Sequence, residues 1–478
     1  MKLTELLSIL PKTEMKWPDM EVDCVTSDSR KVTRNSVFVC IQGAADDGHR
    51  YAKNAAAQGA LCVICEKDTE LSNQIIVEDS HAVYATLCAA MFGYPARKLK
   101  LIGVTGTNGK TTVTYLVKHI LEENGRKTGL IGTIRNMIGD KEYPAANTTP
   151  DAWELQMLLS RMVEEKCEYV VMEVSSHALD QQRVYGCTFE AAVFTNLTQD
   201  HLDYHKTMES YSEAKQKLFA ISKKAVVNLD DPYAPAMTKG MTGEVKSYGI
   251  ERQDADYKAQ NIRLYAGGVG FELVSEGASA RIQMPMPGYF SVGNAMAAVG
   301  AALSLGLPFA AAAKALSCAT GVKGRMEVVE TPGDYTVIID YAHTPDGLIH
   351  VLQALKETTE GRLIAVFGCG GDRDRAKRPL MGRACAEGAD LCIVTSDNPR
   401  SENPMDIIEQ ILEGMRGYGT PKVVVENRRE AIEYALQRAQ PGDVILLAGK
   451  GHETYQVLDG ETIHFDERDI VRAIVCGQ

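Results

Sequence analysis

The sequence has no surplus of basic residues: 51 Lys and Arg stand against 63 Asp and Glu, a formal net charge of −12. Nonspecific nucleic-acid binding usually leaves a basic footprint, so that class is disfavoured. Anionic small molecules stay open, because glycine loops, helix N-termini and a few arginines hold phosphate locally. A paired-cysteine framework is missing too. The 12 cysteines are scattered, and the nearest pair, Cys62 and Cys65, has no second CxxC to complete a zinc site. In so long a chain this usage reads as reduced, core-filling thiols. Long apolar runs are lacking. The start, MKLTELLSILPKTEMKWPD, gathers charges too soon for a secretory leader. The uncharged stretch from Ala295 to Ala313 is Ala-rich and interrupted by Gly300, Ser304, Gly306 and Pro308. It reads as a helix, a turn and a second helix, not a membrane span. There is no disorder-like excess of Pro and Gly. The expectation is a soluble cytoplasmic protein, a monomer, with small-molecule partners and neither nucleic acid nor membrane among them.

At about 150 residues per domain, 478 residues suggest three domains. Pattern divides the chain at 1–98, 99–326 and 327–478. The first block mixes short strands (36–41, 61–64) with helices (51–58, 82–92). In the second, buried strands at 101–104, 169–174, 191–196 and 225–229 alternate with helices such as 111–124. The third repeats that logic, with strands at 336–340, 363–367, 391–395, 422–425 and 444–447 and helices at 404–415 and 429–437. The fold class is α/β: a small N-terminal α/β domain, a central P-loop-like parallel sheet and a C-terminal Rossmann-like domain.

The strongest local signal is Val104-Thr-Gly-Thr-Asn-Gly-Lys-Thr-Thr112, where a strand gives way to a helix. Glycines let backbone N–H groups converge on phosphate, Lys110 adds a point charge, and the Thr111 hydroxyl can hold Mg²⁺. The strict Walker A pattern fails, since its first glycine would fall on Val104; the loop is a shortened variant. Glu173, ending a hydrophobic strand in Val171-Met-Glu-Val-Ser-Ser-His177, is placed where a Mg²⁺ carboxylate is expected, or is a solvated rim residue. Past the next strand, His201 and His205 are four apart and could share a helical face as zinc ligands, although Leu202 replaces the Glu of the usual motif. Phe367-Gly-Cys-Gly-Gly-Asp-Arg373 lacks the third glycine of a dinucleotide fingerprint. The cations Arg373, Arg375, Lys377 and Arg378 read as a local anion site or a solvated charge run. Ser396-Asp-Asn-Pro-Arg400 and Gly449-Lys-Gly-His-Glu453 also follow strands. From the residues alone the chain is a P-loop ATP-using enzyme, with a phosphotransferase acting on a hydroxyl and a non-catalytic binding protein as alternatives.

Together these motifs resemble the Mur ligases, the ATP-dependent amide-forming enzymes of peptidoglycan synthesis, over essentially the whole chain. The resemblance also includes Glu-Ala-Lys215, Gly-Asn294, Gly-Arg325 and Asp340-Tyr-Ala-His343. It is nearest to the branch that extends a UDP-N-acetylmuramoyl dipeptide by a third residue. Asp397-Asn-Pro-Arg400 is similar to the version adding meso-diaminopimelate, with a lysine-adding member as the alternative. The resemblance implies a uridine side at Ser29 and the Gly43–Gly48 loop, and a muramoyl-dipeptide side at Asn147, Thr148, Thr149, Ser175, Gln181 and Arg183. ATP would meet Gly106, Thr107, Asn108, Gly109, Lys110, Thr111 and Thr112, with Asn294, Arg325 and Asp340. Diaminopimelate would meet Arg373, Asp397, Asn398, Pro399, Arg400, Gly449 and Glu453. Two Mg²⁺ ions are implied, held by Thr111, Glu173, His201 and a carbamylated Lys215. Lys110, Glu173, His201 and Lys215 would carry the catalysis.

Overall fold

The computed structural model describes residues 1–10, 17, 19–43 and 46–477. Part of the N-terminal stretch judged above, and Ala44 and Ala45 of the Gly43–Gly48 loop, lie outside the described residues. Packing divides the chain into two compact units, Met1–Asp256 with Ala297–Pro308, and Tyr257–Met296 with Phe309–Gln478.

The first unit holds two sheets. The smaller has four parallel strands in sequence order, Cys24–Thr26, Ser36–Val39, Cys62–Cys65 and Gln74–Ile76. Cys62 and Cys65 are fully buried in it, so the lone CxxC serves packing. The larger sheet is parallel across Glu244–Gly249, Lys224–Asn228, Phe189–Phe194, Lys100–Thr105, Tyr169–Glu173 and Thr128–Ile131. Its central strands, such as Leu101 to Thr105 and Tyr169 to Glu173, are buried throughout, as expected where helices cover both faces. An antiparallel hairpin, Asn136–Ile138 with Lys141–Tyr143, extends this edge.

The second unit contains an antiparallel meander, Tyr257–Tyr265, Gly268–Ser275 and Ala278–Met284. It also contains a mostly parallel sheet in the order Glu327–Val329, Thr336–Asp340, Val444–Ala448, Leu363–Phe367, Leu391–Val394 and Lys422–Val424. The Ala-rich stretch forms helices Tyr289–Ser304 and Phe309–Ser317 around the Gly-Leu-Pro turn. No helix among the described residues is long and apolar enough to cross a membrane. Of the 12 cysteines nine are buried and two, Cys318 and Cys476, are exposed.

Candidate functional site

The phosphate-type loop leaves the carboxyl end of strand Lys100–Thr105 and feeds helix Lys110–Glu123. The segment after the neighbouring strand Phe189–Phe194 braces it. Thr107 N donates to Asn196 O (2.8 Å), Asn108 N to Asn196 Oδ1 (2.9 Å), and Thr195 Oγ1 to Asn108 O (2.6 Å). The loop's first amides are thus committed to shape, leaving the amides of the helix N-terminus to face an anion. Lys110 Nζ donates to the carbonyls of Gly106 (2.9 Å) and Thr107 (2.7 Å).

Parallel pairing sets Val104 beside Glu173, which brings the loop and the strand-end carboxylate together. Glu173 is buried, and both its oxygens accept from the Thr111 hydroxyl at 3.0 Å. Lys215, on helix Met208–Ala220, is fully buried and donates to Gly106 O at 2.8 Å, the carbonyl Lys110 also uses. Burial, reinforced by the Lys110 charge, pulls the Lys215 ammonium well below the ordinary lysine range. The Tyr211 ring sits 4.5 Å from Lys215 Nζ and 6.0 Å from the His201 ring, and its hydroxyl is 3.2 Å from Thr107 Oγ1. His201 is lowered by burial, with Lys110 and Lys215 adding to the effect. Lys110, Thr111, Glu173, His201 and Lys215 therefore surround one loop.

The zinc reading of His201 and His205 is not supported. His201 stands at the N-cap of the four-residue helix Leu202–His205 with its ring 4.8 Å from that of His177, and the buried His205 Nε2 lies 2.9 Å from Ser176 Oγ. Among the described residues no three His, Cys, Asp or Glu side chains gather as a metal set. The donors at the loop are instead hard oxygens, the Thr111 hydroxyl and the Glu173 carboxylate, which fit Mg²⁺. An ammonium at Lys215 does not fit a cation; a carbamate there would.

Beside Glu173 lies most of the residue set assigned to the muramoyl dipeptide. Thr149 Oγ1 donates to Glu173 O (2.9 Å) and accepts from Ser175 N (3.0 Å). Arg183 donates to Thr149 O (2.8 Å) and to Gln181 Oε1. Thr148 Oγ1 is 3.0 Å from Thr133 Oγ1. Asn147 is exposed, and Ser29 opens the short turn Ser29–Lys31 capped by Asp28; both stand outside this network.

In the second unit four loops leave the carboxyl ends of adjacent parallel strands. Asp340 is buried, and burial raises its carboxyl despite the opposing Arg325 charge. It accepts from Met326 N and Ala342 N, each at 2.8 Å. The Arg325 guanidinium lies 4.9 Å from the Tyr341 ring, and its Nε is buried without a hydrogen-bond partner among the described residues. Asn294 is buried on helix Tyr289–Ser304.

The glycines of 368–371 have a packing reason that replaces the dinucleotide reading. A Cβ on Gly371 would stand 1.9 Å from Pro399 O, so only glycine lets these loops touch. Asn398 is pinned on all sides. Its Nδ2 donates to Glu453 (2.9 Å), and its Oδ1 accepts from Val457 N (3.0 Å) and Lys450 Nζ (3.2 Å). Gln456 Nε2 donates to Asp397 O (2.6 Å). Arg400 has a φ of 55° and donates to Gly371 O (2.8 Å). Asp397, Asn398, Pro399, Arg400, Gly449 and Glu453 are thus one loop pair.

The neighbouring cations are not one anion site. Arg378 is fully buried against Glu402 (2.8 Å), Arg375 meets the same carboxylate, and Lys377 donates to His343 O. Arg373 is exposed beside this loop pair. Sequence reasoning missed Tyr211, Thr133 and Lys450. The buried Lys450 was signalled by its place inside Gly-Lys-Gly-His-Glu; the other two carried no local signal.

Three family models match in sequence along the chain. They are the Mur ligase family catalytic domain (21–94), the Mur ligase middle domain (104–302) and the Mur ligase glutamate ligase domain (324–451). A curated protein of Caldanaerobacter subterraneus subsp. tengcongensis is 49% identical over 480 residues, with 99% of each chain covered. The chain belongs to the Mur ligase family. That relative is named UDP-N-acetylmuramoyl-L-alanyl-D-glutamate–2,6-diaminopimelate ligase, as is one from Clostridium botulinum at 46% identity and 99% coverage of both chains. A solved structure titled as the same ligase matches with a TM-score of 0.74 and 36% identity, covering 100% of this chain and 99% of that one. The three Mur ligase segments match the three-domain α/β architecture expected from the sequence.

Proposed function

We propose that this chain joins meso-diaminopimelate to the D-glutamate side-chain carboxylate of UDP-N-acetylmuramoyl-L-alanyl-D-glutamate, converting ATP to ADP and phosphate. The observation that carries the choice of amino acid is the pinned loop pair, which sets Asp397, Glu453, Arg373 and Arg400 at one sheet edge. With Glu453 already 3.2 Å from the buried Lys450 Nζ, Asp397, Arg373 and Arg400 complement an amino acid bearing a second ammonium and a second carboxylate.

A carboxylate is a poor acyl donor, so the reading has ATP phosphorylate it first; the amine then attacks the acyl phosphate and phosphate leaves. Lys110 and the amides of its helix stabilise charge developing on the transferred phosphoryl group. Thr111, Glu173, His201 and a carbamylated Lys215 would hold Mg²⁺, which supplies further charge neutralisation when bound. Arg325, whose buried Nε has no hydrogen-bond partner among the described residues, Asp340 and Asn294 are the other proposed ATP contacts. Thr148, Thr149, Ser175, Gln181 and Arg183 present the dipeptide, with Asn147 and Ser29 further out. Soluble UDP-linked substrates place the reaction in the cytoplasm, with the chain acting as a monomer.

Lysine lacks the distal carboxylate, and would leave the Arg400 guanidinium without a carboxylate partner; such sites reject the wrong substrate by about 10⁴-fold. A second reading, in which Arg400 only closes its turn, is favoured by its bond to Gly371 O. Steady-state kinetics of Arg400→Ala separates the two. Loss of the half-buried Arg400, a charge partner that bound substrate would bury, costs about 2–5 kcal/mol, lowers kcat/KM for diaminopimelate by roughly 30- to 4,000-fold and leaves lysine nearly unchanged. Equal losses for both amino acids remove Arg400 from the specificity role.

A further inference from the structure

Glu173 is held from two sides. On one side is the Thr111 hydroxyl; on the other, Thr133 gives its backbone N–H to Oε1 (2.8 Å) and its hydroxyl to Oε2 (3.0 Å). Thr133 stands two residues beyond strand Thr128–Ile131, which pairs with the strand ending at Glu173. The approach is close enough that a Cβ on the preceding Gly132 would lie 2.5 Å from Glu173 Oε1. The Thr133 hydroxyl also lies 3.0 Å from that of Thr148.

One hydroxyl has one proton, and a carboxylate only accepts. The Thr133 proton therefore goes to Glu173, and the Thr148 proton must go to Thr133. Thr148 Oγ1 is left with lone pairs alone, so whatever it meets must be an N–H or O–H donor. Should Thr111 turn its hydroxyl toward a cation, the two bonds from Thr133 are what keep the carboxylate in place.

Resting on the functional reading above, we propose that Thr133 is a positioning residue that ties the metal–nucleotide end of the site to the muramoyl-dipeptide end. Through it Glu173 is aimed at the Thr111 side, and Thr148 is fixed as an acceptor for an amide N–H of the dipeptide. Each ligand strengthens the other by ordering the shared row Thr111, Glu173, Thr133, Thr148.

The test uses Thr133→Val, which keeps the shape and removes the proton, with Thr133→Ser as the conservative variant. Calorimetry measures the affinity of Mg²⁺·ADP with and without the UDP-muramoyl dipeptide, and kinetics measures ligation. A hydrogen bond to a charged group predicts a loss of roughly 10- to 100-fold in kcat for Thr133→Val. The mutual enhancement of Mg²⁺·ADP and dipeptide binding should fall to about one, by the reciprocity of linked sites. Thr133→Ser should stay within about threefold of wild type in both, since its hydroxyl can make the same bonds. Wild-type enhancement in Thr133→Val overturns the proposal. Equal damage in Thr133→Ser also overturns it, because the methyl group and not the proton would then matter. Failure of the wild type to form the amide counts against the functional reading alone, since nucleotide affinity is read without turnover.

Discussion

Lys110 and Lys215 share a carbonyl, yet their chemistry differs. Lys110 is proposed to act where a phosphate's charge develops, and its Nζ donates to the loop carbonyls of Gly106 and Thr107. Lys110→Ala should stay folded and lose roughly 100-fold or more in turnover, read as ADP release in the presence of dipeptide and diaminopimelate. Near-wild-type ligation by that variant would refute the ATP-site assignment. Lys215 is pushed toward its neutral amine by burial and by its neighbour, and the neutral amine is the form that adds CO₂. Lys215→Ala should be nearly inactive and recover in part with small carboxylates that stand in for the proposed carbamate. An intact-mass measurement finding unmodified Lys215 in fully active enzyme would sink that assignment.

At the scale of elements, helix Lys377–Gly388 is anchored by a fully buried Arg378 that donates to Glu402, Gln410 and Gly370 O. Arg378 in turn holds the Glu402 carboxyl at about 2, well below its ordinary 4.5. A depressed folded-state value stabilises above the unfolded one and is lost as pH falls through about 2. Glu402→Gln should therefore melt below wild type at neutral pH, with the gap closing between about 4.5 and about 2. A gap independent of pH would assign the role to shape alone.

Which elements were readable follows from how they are buried. Tyr169–Glu173 and Val444–Ala448 are buried at every position and show as unbroken apolar runs. Tyr257–Tyr265 has one face exposed, with Gln260, Asn261 and Arg263 breaking the pattern, so the meander escaped notice. The phosphate-type loop was legible because its chemistry needs contiguous residues. Thr133 was not, because its link to Glu173 arises from the pairing of strands 128–131 and 169–173, which nothing in its local sequence announces.

For the whole molecule, the division into two units, each with its own buried clusters, predicts unfolding that is not all-or-none. Calorimetry should give an enthalpy exceeding the van't Hoff value. A ratio of one would show a single cooperative block. The burial of the cysteines supplies an independent clock for the same event. Cys318 and Cys476 should consume a thiol reagent at once, and both belong to the second unit. The nine buried thiols divide as six in the first unit and three in the second, so each reacts only when its own surroundings open. Peptide-resolved alkylation under mild denaturant would then date the opening of each half of the natural, unmutated chain, with no dye or tag introduced.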